Sequence, residues 1–169
     1  MISQKMEQAI NQQINAELYS SYLYLSMAAY LDSQNLKGMA QWMKAQAQEE
    51  VLHAMKFYHY LYDRGGKVVL KAIDMPQSVW ESPLKVFEAG YEHEQKVTVM
   101  IHELVKLAKK ENDYASEVFL SWYVSEQIEE EADSSEIVET LKMIGKQGPA
   151  LMQMDRKLGE RKLGAAEDV

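Results

Sequence analysis

Cysteine is absent from this chain. Disulfides, thiolate metal ligands and cysteine nucleophiles are thereby excluded, and the composition fits a reducing compartment. Proline and glycine are scarce, at 3 and 8 of 169 residues, which favours long uninterrupted helices. No apolar run is long enough to span a bilayer. The N-terminal residues Met1 to Lys5 lack the apolar core of a signal peptide. The expected location is therefore cytoplasmic, with no membrane partner. Excess positive charge is lacking too: 18 Lys and Arg stand against 26 Asp and Glu, for a formal charge of −8. That balance argues against a nucleic-acid partner held by a basic face. What is present is a 47% hydrophobic composition, which suits one globular domain with a substantial core.

Apolar residues recur with alternating steps of four and three, the mark of helices with one buried stripe. They predict four long helices at about 4–32, 36–64, 82–111 and 113–144, and a short fifth at about 149–160. Gly65-Gly66 stops the second, and Ser82-Pro83 starts the third as cap and first helical residue. The end, Gly164 to Val169, is expected to fray. Short loops make helices one and two, and three and four, antiparallel hairpins. The segment at about 65–82 differs. A helix of this length is roughly 40 Å long, and the connector can reach roughly 55–60 Å. It can travel the whole bundle, so the expected fold is an all-α four-helix bundle with one long crossover. Helices two and three are then parallel.

Polar residues interrupt the stripes at matched places. The interval from Glu17 to Glu50 equals that from Glu94 to Gln127, and the interval from Glu17 to His53 equals that from Glu94 to Glu130. Glu49 and Glu126 match by the same offset. Glu17, Glu50, Glu94 and Glu130 each lie near the middle of a helix, so an antiparallel bundle brings them to one height inside the core. Glu50 and His53, three residues apart, share a helix face. Ionised carboxylates left buried and unpaired would cost several kcal/mol each, against a fold stability of about 5–15 kcal/mol. No Lys or Arg occupies a stripe at that height; Arg64 lies at the far end. The residues therefore predict a cation pair. A carboxylate-rich set with one imidazole suits iron or manganese better than copper. One metal would be held by Glu17, Glu50 and His53, and a second by Glu50, Glu94 and Glu130. Gln127 is a poor ligand, so the second position should be the weaker. Glu49, Glu126 and Glu129 point to the flank, either as a solvated acidic face or as a further cation position. Tyr24, one heptad beyond Glu17, is either a core tyrosine or a partner of the centre. Trp122 reads as packing, and His59, His93 and His102 carry no assigned role. A purely structural polar network and a two-metal oxygenase with an organic substrate are the competing readings.

Asn15-Ala16-Glu17, Tyr24, Glu49-Glu50-x-x-His53, Glu94 and Trp122 through Gln127-x-x-Glu130 together resemble the non-haem ferritins of bacteria and archaea, over nearly the whole chain. The resemblance implies a single ferritin-like di-iron domain over 1–169. It implies a ferroxidase that oxidises ferrous iron with dioxygen or peroxide, and storage of the ferric mineral in a hollow homo-oligomeric shell of 24 subunits. By position, Glu17, Glu50 and His53 match the family's first iron site, and Glu50, Glu94 and Glu130 the second, with Gln127 nearby. Glu49, Glu126, Glu129 and Glu130 match a third, and Tyr24 the tyrosine beside the centre. Bacterioferritins carry Glu and His where this chain has Gln127 and Glu130, and a haem-binding Met where it has Leu52. No haem is therefore expected.

Overall fold

The computed structural model describes residues 1–162; the frayed end expected at Gly164 to Val169 lies outside them. The five helices are α1 (Gln4–Ser33), α2 (Lys37–Asp63), α3 (Pro83–Glu111), α4 (Tyr114–Ile144) and α5 (Gly148–Leu158), within two residues of the bounds the periodicity predicts. Their ends are made by local chemistry. Ser3 accepts from the Met6 amide at 3.2 Å, Ser82 from Lys85 at 3.3 Å and Asp113 from Ser116 at 3.2 Å, each satisfying an amide that the first turn leaves orphaned. Asn112 closes α3 in the left-handed region at φ 54°. Gly65 follows α2 at φ 72°, where a Cβ would be strained.

The crossover runs alongside α1 in the same direction, opposite to α2. Asn11 donates to the Lys67 carbonyl at 2.9 Å and accepts from the Val69 amide at 2.6 Å. Asn15 donates to Ala72 at 3.1 Å, and Ser26 to Gln77 at 2.7 Å. These contacts climb α1 in step with the crossover, so the chain leaves the end where α2 stops and reaches the opposite end before α3 begins. Trp80 is buried there against Tyr30. Helices α2 and α3 are consequently parallel. At the first end, Arg64 reaches Asp113 at 3.0 Å, which ties α2 to the start of α4.

Helix α2 has no side-chain cap of its own. The buried Asp155 of α5 supplies one, accepting from the Met39 amide at 2.8 Å. Gly38 makes this approach possible, because a Cβ there would stand 1.7 Å from the Asp155 carbonyl oxygen. The fifth helix is thus pinned to the beginning of α2.

The apolar interior is split in two. One cluster, around Met27, Leu31, Met39, Met43 and Phe87, fills the end near α5. The other, around Ile10, Ile14, Phe57, Ile101 and Leu120, fills the opposite end. Polar side chains occupy the gap between them. Along α3 the steps of four and three predict a stripe of Phe87, Tyr91, Glu94, Thr98, Ile101, Val105 and Ala108; Tyr91, Thr98 and Val105 are only half-buried, while Val86, Gly90, Val97 and Leu104 are buried as well. An α-helix drifts relative to a strict seven-residue repeat, so the buried face broadens to include both neighbours.

Candidate metal centre

All four long helices contribute one carboxylate to the gap: Glu17 from α1, Glu50 from α2, Glu94 from α3 and Glu130 from α4, each no more than 7% exposed. His53 is buried beside them. One ligand atom from each of Glu17, Glu50 and His53 falls within 4.8 Å of the others. The same holds for His53, Glu126 and Glu130. His53 is therefore shared, with Nδ1 3.5 Å from Glu50 and Nε2 3.9 Å from Glu126.

Three amides serve these carboxylates. Gln13 donates to Glu17 Oε1 at 2.8 Å. Gln46 donates through one Nε2 to Glu50 Oε1 at 3.2 Å and to Glu130 Oε2 at 2.8 Å. Gln127 donates to Glu94 Oε2 and to the Glu94 carbonyl, both at 3.2 Å. The Tyr24 hydroxyl donates to the other Glu94 oxygen. Even so, Glu17 Oε2 and Gln46 Oε1 are buried with no hydrogen-bond partner.

Burial is the first cause of the electrostatics. It pushes the Glu17 and Glu50 carboxyls well above the ordinary range, with Glu50 adding to the rise at Glu17 and Glu94 to that at Glu50. Glu130 is raised well by burial and then by Glu94 and Glu50. Glu94 rises through burial, opposed by the donors Tyr24 and Gln127. Tyr24 is itself pushed up by burial and then by the Glu94 charge. Among the described residues, no lysine or arginine is paired with any of the four core carboxylates.

The flank carboxylates are not all drawn together. Of Glu49, Glu126, Glu129 and Glu130, only Glu126 and Glu130 join a common ligand group, and they do so through His53. Glu129 is exposed. Glu49 turns to Arg161, whose Nη2 donates to Glu49 Oε2 at 2.5 Å. This arginine follows α5, more than a hundred residues away in sequence, so no helical spacing signals it. The chain therefore does place a basic group beside the carboxylates, on the flank and not in the core.

Other features had faint signals. Gln13 and Gln46 each stand four residues before a core glutamate, one turn away on the same face; Gln46 lies on the predicted stripe, yet neither amide suggests a role by itself. His93 accepts from or donates to Ser20 at 2.7 Å and meets Tyr24 edge-on. Burial, then Lys96, lowers its pKa to about 4. It borders a 390 Å³ cleft between α1 and α3 that Trp80 also lines. Trp122 packs edge-on against His53, with the Lys56 ammonium 3.8 Å from the centre of its ring.

Comparison with known proteins identifies a family. The family model described as Ferritin-like domain matches residues 7–144. A bacterial non-heme ferritin of Bacteroides fragilis is 44% identical over 161 residues, covering 95% of this chain and 100% of the relative. A bacterial non-heme ferritin of Staphylococcus aureus is 35% identical, covering 95% and 97%. The crystal structure of an open pore ferritin from the archaeon Archaeoglobus fulgidus superposes with a TM-score of 0.95 at 54% identity, over 96% of this chain and 99% of that one.

Proposed function

The chain belongs to the ferritin family and is an iron-storage protein, and from that premise we propose that it loads iron by oxidising it at the centre described above. Ferrous iron is the substrate. Glu17, Glu50 and His53 hold one ion, and Glu50, Glu94 and Glu130 the second, with Glu50 between them. Dioxygen or peroxide accepts electrons from both ions. Carboxylate oxygens are hard donors and favour the ferric product. The core carboxyls, whose pKa values burial raises, give up protons as iron binds.

The observation that carries this reading is the convergence of Glu17, Glu50 and His53, with a buried Glu17 oxygen that no protein group satisfies. A structural polar network would satisfy that oxygen, because a buried acceptor without a partner costs about 1–3 kcal/mol. Gln127 acts as a clamp, its amide nitrogen spent on Glu94. The second ion thus lacks a ligand and leaves more readily, which suits storage. Glu49, Glu126, Glu129 and Glu130 take the departing iron at a flank position.

The shell is a homo-oligomer of 24 subunits in the cytoplasm. Tyr22, Tyr114, Val118 and Ile128 are large, at least half exposed apolar side chains that contacts between copies would cover. No helix among the described residues is long and apolar enough to cross a membrane. Titration with ferrous salt in air tests the activity, read as iron oxidised per chain. Turnover far beyond the bound ions, with an amber product, is expected. Oxidation that stops at the bound pair would favour an oxygenase and defeat the storage mechanism. Negative-stain microscopy tests the shell: hollow spheres are expected.

A further inference from the structure

Arg161 is the one described cation that touches a carboxylate of the proposed flank position. Its placement is built, not incidental. Asp155 caps α2 and Gly159 packs against the Gly38 Cα, so the chain leaving α5 is fixed beside α2. The Arg161 amide donates back to the Leu158 carbonyl at 3.3 Å, closing the turn. From there the side chain lies over Trp42, with the guanidinium carbon 4.5 Å from the ring centre. Two turns further along α2 it reaches Glu49. Cation–π contact and ion pair together orient the guanidinium.

The fork is only half used. Nη2 bonds Glu49, whereas Nη1 is buried with no partner. Arginine pairs best with carboxylate through two parallel bonds, and this geometry forgoes one of them. A multiply charged metal ion at Glu49 has the stronger electrostatic claim on that oxygen.

We propose that Arg161 is a counter-cation for Glu49 that a metal ion must displace, and that it thereby sets the affinity of the flank position. The inference rests on the flank position assigned under the proposed function. With the flank vacant, Arg161 neutralises Glu49. When iron arrives, the guanidinium swings off, and its return helps expel the ion. Arg161 is a positioning residue that acts through Glu49 and touches no reacting atom.

Anaerobic calorimetric titration of the metal-free assembly with ferrous iron tests this on the wild type, R161Q, R161K, E49Q and the double variant. Wild type should bind three ions per chain, the last most weakly. R161Q should tighten that last ion by about tenfold, the scale of one partly exposed ion pair plus a cation–π contact. R161K should stay near wild type, because it restores the charge. E49Q should lose the last ion, and adding R161Q to it should change nothing. Wild-type affinity in R161Q, while E49Q still loses an ion, would overturn the role of Arg161 and leave the flank position standing. Equal tightening in R161Q and R161K would also overturn it, since charge would then be irrelevant. Three undiminished ions in E49Q would overturn the flank position and this inference together.

Discussion

Replacing Gln46 with leucine removes the amide that bridges two of the core carboxylates while nearly preserving volume. Gln46 is fully buried, and its two N–H groups go to Glu50 at 3.2 Å and Glu130 at 2.8 Å. A hydrogen bond to a charged group contributes about 1.5–3 kcal/mol. The longer bond belongs at the weak end, and burial favours the neutral form of both carboxyls, so the pair contributes about 3 kcal/mol. Against this, Gln46 Oε1 is buried without a partner, and deleting it returns about 1 kcal/mol. The net loss is about 2 kcal/mol in the cation-free protein. For a chain of this size about 1 kcal/mol moves the melting temperature by about 2–4 °C, so Q46L should melt about 4–8 °C lower. A bound cation supplies what the amide supplied. The difference should therefore shrink by more than half after zinc loading. Calorimetric melting of chelator-treated and zinc-loaded samples measures both numbers. If Q46L melts no lower than wild type without metal, or falls equally with zinc, the amide is not standing in for a cation.

Other perturbations probe the same core. H53A should weaken the first ferrous ion by about tenfold or more, and adding E17A should abolish it, both read by anaerobic calorimetric titration. Q127E supplies the missing ligand of the second position; it should tighten the second ion by about tenfold and slow iron turnover, measured by oxygen uptake. Stability should depend on pH with a definite sign. Between the ordinary carboxyl value of 4.5 and the raised values of Glu17, Glu50 and Glu130, the native state holds protons that the unfolded chain has released. Metal-free stability from these groups therefore falls as pH rises through that window. His93 works in the opposite sense: its pKa drops from 6.5 to about 4, so its contribution is present above 6.5 and lost as pH falls toward 4. Melting scans from acid to neutral pH should show a maximum for metal-free protein and a higher plateau for zinc-loaded protein; identical profiles would refute the linkage.

Much of the fold was legible because it is written in periods. Stripe residues such as Ile10, Met43 and Leu120 are buried as the steps of four and three predict, and Ser82, Pro83 and Gly65 mark helix ends where they stand. The parallel arrangement of α2 and α3 followed from reach alone. Side chains meeting at one height came from the same reasoning, since Glu17, Glu50 and His53 depend only on helix register. What stayed hidden depends on contacts that no period encodes. The crossover is tied down by single asparagines, Asn11 and Asn15, whose partners are backbone groups with no sequence signature. Asp155 caps a helix that begins more than a hundred residues earlier. Arg161 reaches Glu49 only because Gly38 lets α5 approach α2 so closely.

The choice of amides over basic side chains explains how such a core remains both foldable and receptive. A lysine or arginine among Glu17, Glu50, Glu94 and Glu130 would neutralise them permanently and compete with any incoming ion at full charge. Gln13, Gln46 and Gln127 instead donate hydrogen bonds from neutral groups. Burial raises the carboxyl pKa values and so favours the neutral form, which lessens the several kcal/mol that each uncompensated buried charge would cost. Protons and amides are weaker claimants than a divalent ion, and both yield to it by local exchange without unfolding a helix. The guanidinium is kept for the flank, on the partly exposed Glu49. On the proposed reading, competition with a metal is weakest in the core, where ions would bind, and strongest on the flank, where they would leave. A lysine introduced as Q46K tests this ordering: its ammonium should raise the melting temperature of the metal-free protein while ferrous binding in the core is lost. Retained binding in Q46K would show that a fixed core cation is tolerated and that the amides are not selected for receptivity.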